Sequence, residues 1–377
     1  MKKKVAVIGS GIAGLTIANL LKTNSDFEVI VYEKEDTLSL KQGYGIQLGT
    51  NSISILNKIG FKNIDNNDIF NPLKLNFYSI NNKICNLNLN RFNTDSVKYT
   101  TLKRFTLIEF LKNELFTNNL RFGKEIKKLS KIKDKLLINF TDNTNDLVDF
   151  IIVSDGVFSN TKSIIENKVI QPHYNGSVAI RTVIKSSEDF NYDSNNISLI
   201  MLKNAHVVLY PINKKNEFNL VCIVRQKLFQ NNDIRSIIKR EIFSQNKSLE
   251  NLFKGDLDLW PIYVSKKITR SIYDNVFYLG DAFYTFAPTM AQGASQSIEG
   301  AYELFNLLSK NTKEIQDLYF RQRLKRTNLI NGRSKLNYFS FHLSNQPMIL
   351  MRNLILKNIV KSDKFLNRYL GNIYQEI

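Results

Sequence analysis

Residues 3 to 33, KKVAVIGSGIAGLTIANLLKTNSDFEVIVYE, constrain the fold more than any other part of the chain. Val5 to Ile8 is a short apolar run closed by a glycine, the pattern of a buried parallel strand. Gly9-Ser10-Gly11-Ile12-Ala13-Gly14 follows at once and opens a helix-period run (Ile12, Leu15, Ala18, Leu21), after which Val29 to Tyr32 reads as a second buried strand. Gly9 lets the chain turn out of the first strand. Gly11 has no Cβ, so a pyrophosphate can approach the backbone, and Gly14 lets helix and sheet pack closely. Ile12, Ala13 and Gly14 present the free N–H groups and positive dipole end of a helix amino terminus to the diphosphate. Glu33 lies about 20 residues beyond the last glycine, where a carboxylate accepts bonds from an adenosine ribose and disfavours a 2′-phosphate. Lys34 beside it is taken as a further nucleotide contact.

A lysine-led apolar stretch at an amino terminus can also be a signal peptide. Here the run is broken by glycines in register with the fingerprint and lacks a cleavage pattern. No later segment is long and apolar enough to span a bilayer, so a cytoplasmic protein is expected. Cys85 and Cys222 sit in apolar strand-like runs and read as reduced core residues; three scattered histidines give no metal spacing. The formal charge of +18 is extreme. Its lysines are spread among asparagines and isoleucines with no aromatic interleaving, which argues against nucleic acid and for solubility and attraction of anions.

The remaining pattern is α/β: a Rossmann-like nucleotide-binding domain interleaved with a mostly antiparallel β domain, plus C-terminal helices. Residues 1–72, 99–170 and 269–340 are assigned to the first, 73–98 and 171–268 to the second, and 341–377 to a helical tail. A loop is expected over Lys34–Gly43, a helix over Asn51–Ile59 with Gly60 as C-cap, a hairpin over Leu73–Leu89 turning at Asn81-Asn82, and a helix from Arg104 to the asparagines at 118 and 119. A buried strand leads into Asp155-Gly156, short strands fill 171–268 with one helix, Ile234–Phe243, and another buried strand leads into Gly280-Asp281. A long helix starts near Gln292.

Three motifs now stand in order: the fingerprint; Asp155-Gly156-Val157-Phe158-Ser159-Asn160-Thr161-Lys162; and Gly280-Asp281-Ala282 through Pro288, Ala291, Gln292, Gly293 and Ala294. Together they resemble the FAD-dependent aromatic hydroxylases, nearest the salicylate and hydroxybenzoate branch, with quinone-biosynthesis hydroxylases as neighbours. The resemblance implies bound FAD, NAD(P)H as electron donor, and O2 delivered through a C4a-hydroperoxide to an electron-rich ring. It assigns the flavin ribityl hydroxyls to Asp281, the isoalloxazine pyrimidine edge to the helix start at Gln292-Gly293-Ala294, and FAD contacts to Arg104, Asp155 and Gly156, with Gly280 and Pro288 in the same cofactor shell. Against the family pattern, Lys162 stands for an arginine, Lys103 and Tyr284 for histidines, Ala291 for a glycine and Gly300 for an aspartate.

Alternation puts His206, Val208 and Tyr210 on one face of a strand. This is similar to the H…YP strand of hydroxybenzoate hydroxylases, whose histidine and tyrosine face the ring, which assigns catalysis to His206 and Tyr210. A histidine near neutral pKa can take a phenol proton and enrich the attacked carbon. Arg181 and Arg225, on neighbouring strands, suit a substrate carboxylate, and Gln292 a substrate contact; solvated sheet-edge arginines are the competing reading. The basic amphipathic tail Leu343–Leu370 is expected to pack its apolar side on the domain; peripheral contact with an inner membrane and a homodimer stay open. Rival functions are a quinone-pathway hydroxylase of a prenylated phenol at a membrane and a non-catalytic flavin-binding sensor. A flavin halogenase is disfavoured because its WxWxIP element is missing and Trp260 is the only tryptophan.

Overall fold

The two apolar runs of the fingerprint form neighbouring strands of a five-stranded parallel sheet, in the order Val276–Tyr278, Phe150–Val153, Lys3–Ile8, Phe27–Tyr32, Leu120–Arg121. The structure is a computed structural model that describes residues 2–37, 44–80, 82–115, 117–186, 191–226, 233–310 and 312–374. Gly43, Asn81 and the second half of the loop expected after Lys34 lie outside those residues. The strands are apolar without alternation because both sheet faces are covered. Val5, Val7, Val29 and Val31 pack under the helices Ile12–Lys22 and Gly293–Ser309, while Ala6, Ile8, Ile30 and Tyr32 pack against a three-stranded antiparallel sheet, Ile126–Ile132, Lys135–Phe140 and Asn145–Val148.

The second layer is a seven-stranded sheet in the order Asp258–Val264, His173–Ile184, Phe218–Arg225, Ala205–Pro211, Ile197–Leu202, Lys74–Ser79, Asn82–Asn88. Its pairs are antiparallel, except that Ile197–Leu202 and Lys74–Ser79 run parallel. Ala205, Val207 and Leu209 face a helical cover built on Ile237, Ile238, Leu249 and Leu252. The other face looks back toward the nucleotide-binding lobe. The strand Gly45–Leu48 joins the lobes: Gly45 N–H donates to Asn219 Oδ1 at 2.7 Å, and a Cβ on Gly45 would stand 2.6 Å from Asn219 Cβ and from Ile212 Cγ2.

Local expectations are corrected at two places. The helix from Arg104 ends at Asn113, and Thr117–Asn119 is a separate 3-10 turn. Asn19 Nδ2 takes the carbonyl of Leu111 at 2.7 Å and Lys22 Nζ takes that of Glu114, so neighbouring side chains capture the last turn. Ile234–Phe243 is one α turn, Ile234–Ile238, followed by a π turn. The tail packs one side on the domain, with Leu356 and Val360 against the core that holds Leu366 and Leu370, but it carries a second apolar side. The helix Gln346–Ile359 buries Ile349 and Arg352 but exposes Leu350, Met351, Leu354 and Ile355. Its apolar residues occupy more than one side, and a helix lying on a domain buries only one.

The long helix Ile315–Phe341 is tied to Gly293–Ser309 by buried ions. Arg323 meets Glu303 at 3.3 Å and Gln296 Oε1 at 2.9 Å, and Arg326 meets Glu299 at 2.7 Å while donating to the carbonyls of Asn372 and Ile373. Gly300 borders this network; a Cβ there would stand 3.2 Å from Arg323 Nε. The glutamates one residue before and three after it carry the charge opposite the arginine.

Candidate active site

Gly9, Asp155-Gly156, Glu33 and Gly280-Asp281 lie just past the carboxyl ends of four consecutive parallel strands. An open α/β sheet binds its ligand at that edge. Backbone geometry accounts for the glycines. Gly9 has φ +98°, and a Cβ there would meet Ser154 O at 2.9 Å. A Cβ on Gly14 would stand 2.0 Å from Gly9 O, so helix and turn touch. At Gly11, Gly156 and Gly293 an added Cβ meets nothing within 4 Å, so these backbones border open space.

Two helices point their amino termini at this edge. Ile12–Lys22 starts after Gly11 and Gly293–Ser309 after Gln292; neither has a capping side chain or an acid in its first turn. The N–H groups of Ile12, Ala13 and Gly14 precede the first helical bond, from Leu15 N to Gly11 O. Glu33 Oε2 accepts from Ser10 N at 2.9 Å and from Ser10 Oγ at 2.6 Å, fixing the carboxylate beside the turn. Lys34 points to solvent, 3.7 Å from Glu35.

Asp281 stands open to the groove, yet the surrounding protein limits its hydration and lifts its carboxyl to about 6, with the Arg104 guanidinium pulling the other way. One carboxylate oxygen of Asp155 is buried without a hydrogen-bond partner, and burial raises this acid against hydrogen bonds from Ser159 and Thr161. Lys162 lies behind it. Its ammonium donates to Ala282 O at 3.0 Å and sits over the Tyr278 ring, and desolvation lowers it to about 8. Tyr284 Oη accepts from Asn331 Nδ2 at 3.0 Å. Ala291 adopts φ +51°, the left-handed region.

A cavity of about 630 Å³ runs from Pro288, Ala291, Gly293 and Ala294 to His206 and Tyr210. Its lining is mostly hydrocarbon, including Leu75, Phe77, Leu87, Ile197 and Leu199. Val208 lines it too, so the expected strand face is the cavity wall. Gln292 is buried under the helix start, 3.4 Å from Gln296 Nε2. Arg181 lines the cavity over the Tyr44 ring; its Nε is buried without a partner, and burial lowers the guanidinium, Tyr210 and Tyr44 opposing. Arg225 does not line the cavity: it is exposed, over the Tyr338 ring. The two arginines lie four residues apart along their paired strands, which carries one inward and leaves the other at the sheet's end.

Sequence reasoning missed the partner of His206. Its Nδ1 lies 2.8 Å from Nε2 of His342, which follows the long helix. Burial, and secondarily His342, pushes His206 well below 6.5. Burial, and secondarily Arg225, pushes His342 to about 3. Both rings are therefore neutral near pH 7. If His206 donates from Nδ1 to His342, its Nε2 is left as an acceptor toward the cavity. Gln47 was also missed as a site residue: Tyr99 Oη donates to its Oε1 at 2.8 Å at the polar end of the cavity. No local pattern marks His342, whereas Gln47 stands out as a polar residue in the run Gly45–Leu48.

The donor set fits FAD. Two uncapped helix starts face an open groove, a backbone cradle at Gly11 has room for a diphosphate, and Asp281 and Glu33 are placed to accept from sugar hydroxyls. Comparison with known proteins agrees. The family described as FAD binding domain matches residues 2–328. The 6-hydroxynicotinate 3-monooxygenase of Bordetella bronchiseptica is 23% identical over 337 residues, covering 85% of this chain and 86% of that one. The 3-amino-4-hydroxybenzoate 2-monooxygenase of Streptomyces cremeus is 23% identical, covering 91% and 89%. Among solved structures, Klebsiella pneumoniae HpxO complexed with FAD and uric acid superposes with a TM-score of 0.86 at 18% identity, covering 98% of this chain and 96% of that one.

Proposed function

The chain belongs to the FAD-dependent aromatic hydroxylase family, and on that premise we propose that it uses NAD(P)H and O2 to hydroxylate a phenolic aromatic ring. FAD, when bound, supplies hydride acceptance and oxygen activation. The chain's own residues do the rest. The N–H groups from Ile12 to Gly14 hold the diphosphate, Glu33 the ribose and Asp281 the ribityl chain, while the dipole of Gly293–Ser309 favours negative charge at the pyrimidine edge. Burial overturns the expected near-neutral histidine, so His206 stays neutral and its Nε2 acts as a base by accepting the hydrogen bond of the phenol O–H, enriching the ring carbon that is attacked, while Tyr210 orients the ring. Arg181, whose Nε has no hydrogen-bond partner, offers its guanidinium to an anionic substituent, and the hydrocarbon walls exclude water.

One observation carries this reading: a single cavity connects the helix start at Gly293 with His206 and Tyr210. The test is a panel of phenols scored for stimulated NAD(P)H oxidation, hydroxylated product and peroxide in parallel. A phenol that raises oxidation and appears as product supports it; no stimulation across the panel with FAD bound overturns it. The lining favours a second form of the same reading. The cavity's walls are hydrocarbon well beyond the space of one ring, so a phenol carrying a hydrocarbon substituent, as in the quinone-pathway alternative, fits better than hydroxybenzoate.

A further inference from the structure

The far end of the cavity opens between the long helix Ile315–Phe341 and the helix Gln346–Ile359: Leu336, Phe339, Met351 and Ile355 line it and are exposed as well. Leu350 and Leu354 do not line it, yet they are 61% and 63% exposed. On Gln346–Ile359 these four form two adjacent rows, 350/354 and 351/355, each with the i, i+4 spacing of one helix face. Lys357 lies three residues past Leu354 and Lys361 four residues further, just beyond the helix end, so both lysines border the first row. A soluble helix turns such a face inward; this one turns it out beside the cavity mouth.

The charge around the face is one-sided. From Leu318 to Ser362 the chain has no Asp or Glu, against nine Lys and Arg. Asp363 is paired with Arg91 at 2.9 Å. Lys335, Lys357, Lys361 and Lys364 are all exposed. The +18 charge is thus not evenly spread, since its longest acid-free segment carries the exposed apolar residues. Two copies joined by this face would bring like charges together, and an apolar partner alone leaves the cations unused. A bilayer with anionic headgroups satisfies both, with hydrocarbon for the leucines and negative potential for the lysines.

We propose that the face formed by Leu336, Phe339, Leu350, Met351, Leu354 and Ile355, ringed by lysines, docks on an anionic phospholipid surface and sets the cavity mouth against the lipid. The docking is peripheral: no helix among the described residues is long and apolar enough to cross a membrane. It rests on the surface and not on the proposed reaction, so it is tested without turnover.

The experiment is flotation of the FAD-loaded protein without lipid, with purely zwitterionic vesicles, and with vesicles of mixed anionic and zwitterionic phospholipid at low and at raised salt. Expected is flotation with the anionic vesicles, reduced by salt and absent with zwitterionic ones. Leu350→Glu with Leu354→Glu should lower partition by at least about tenfold. Lys357→Gln and Lys361→Gln should each lower it by about fivefold. Flavin retention and circular dichroism should stay unchanged, because none of these four lines the cavity. Wild-type protein that stays unfloated with anionic vesicles overturns the proposal. So does binding that ignores both salt and the leucine pair. Light scattering adds one more outcome: a dimer that the leucine pair dissociates would make this face a contact between copies and overturn the lipid assignment.

Discussion

At the scale of single residues, Gly11 and Gly14 separate binding from folding. The first borders open space and the second touches Gly9 O, so the same added group has different consequences. Gly11→Val should leave the melting temperature of the FAD-free protein nearly unchanged and lower FAD affinity by more than about tenfold, since its side chain enters the diphosphate's approach. Gly14→Val should fail to fold or melt far lower; thermal melting with and without FAD checks both. Asp281 makes a pH-dependent prediction. Its folded carboxyl is raised from 3.8 to about 6, so the FAD-free fold gains stability as pH falls through that window and loses it as pH rises. FAD binding needs the ionised acceptor and runs the other way, weakening as pH falls through about 6. Asp281→Asn should flatten that profile in a flavin-fluorescence titration. Asp281→Ala should lower affinity about 10- to 100-fold, the share of a hydrogen bond to a charged group.

At the scale of elements, the turn before the helix Gly293–Ser309 is strained where a glycine of the family pattern has become Ala291, at φ +51°. Left-handed backbone costs a non-glycine residue about 1–2 kcal/mol, and the freer unfolded chain of a glycine returns about 0.4–1 kcal/mol of that. Ala291→Gly should therefore raise unfolding free energy by about 0.5–1 kcal/mol, and Ala291→Val should lower it. Denaturant unfolding of the FAD-free protein measures both. The strand Ala205–Pro211 shows the same logic in a β element. Its alternation sends Ala205, Val207 and Leu209 into the helical cover and His206 and Tyr210 into the cavity wall.

At the scale of the whole molecule, the histidine pair joins a strand of the seven-stranded sheet to the end of the helix that leaves the nucleotide-binding lobe. If His206 is the base, His206→Ala should keep FAD and its reduction while product falls by about 10²–10⁴-fold and peroxide rises. Unchanged coupling would make the histidine structural. Because burial holds both rings neutral, the unfolded chain gains protons below 6.5 that the fold refuses, and stability is lost as pH falls. His342→Phe should make that acid loss shallower by up to about 1.4 kcal/mol per pH unit, read from denaturation midpoints across pH.

The sequence by itself determined the first strand–helix–strand unit of the parallel sheet, its glycine turn and the acid at the next strand's end, because those depend on neighbours within about 30 residues and on periods of 2 and 3.6. It also carried the alternation that faces His206 and Tyr210 the same way. Only the tertiary structure decided that His342 meets His206, that Arg181 reaches the cavity while Arg225 stays outside, and that Leu350 and Leu354 face outward. Each of these outcomes depends on how distant elements pack. A helix with apolar residues on several sides carries no local instruction about which side the domain will cover.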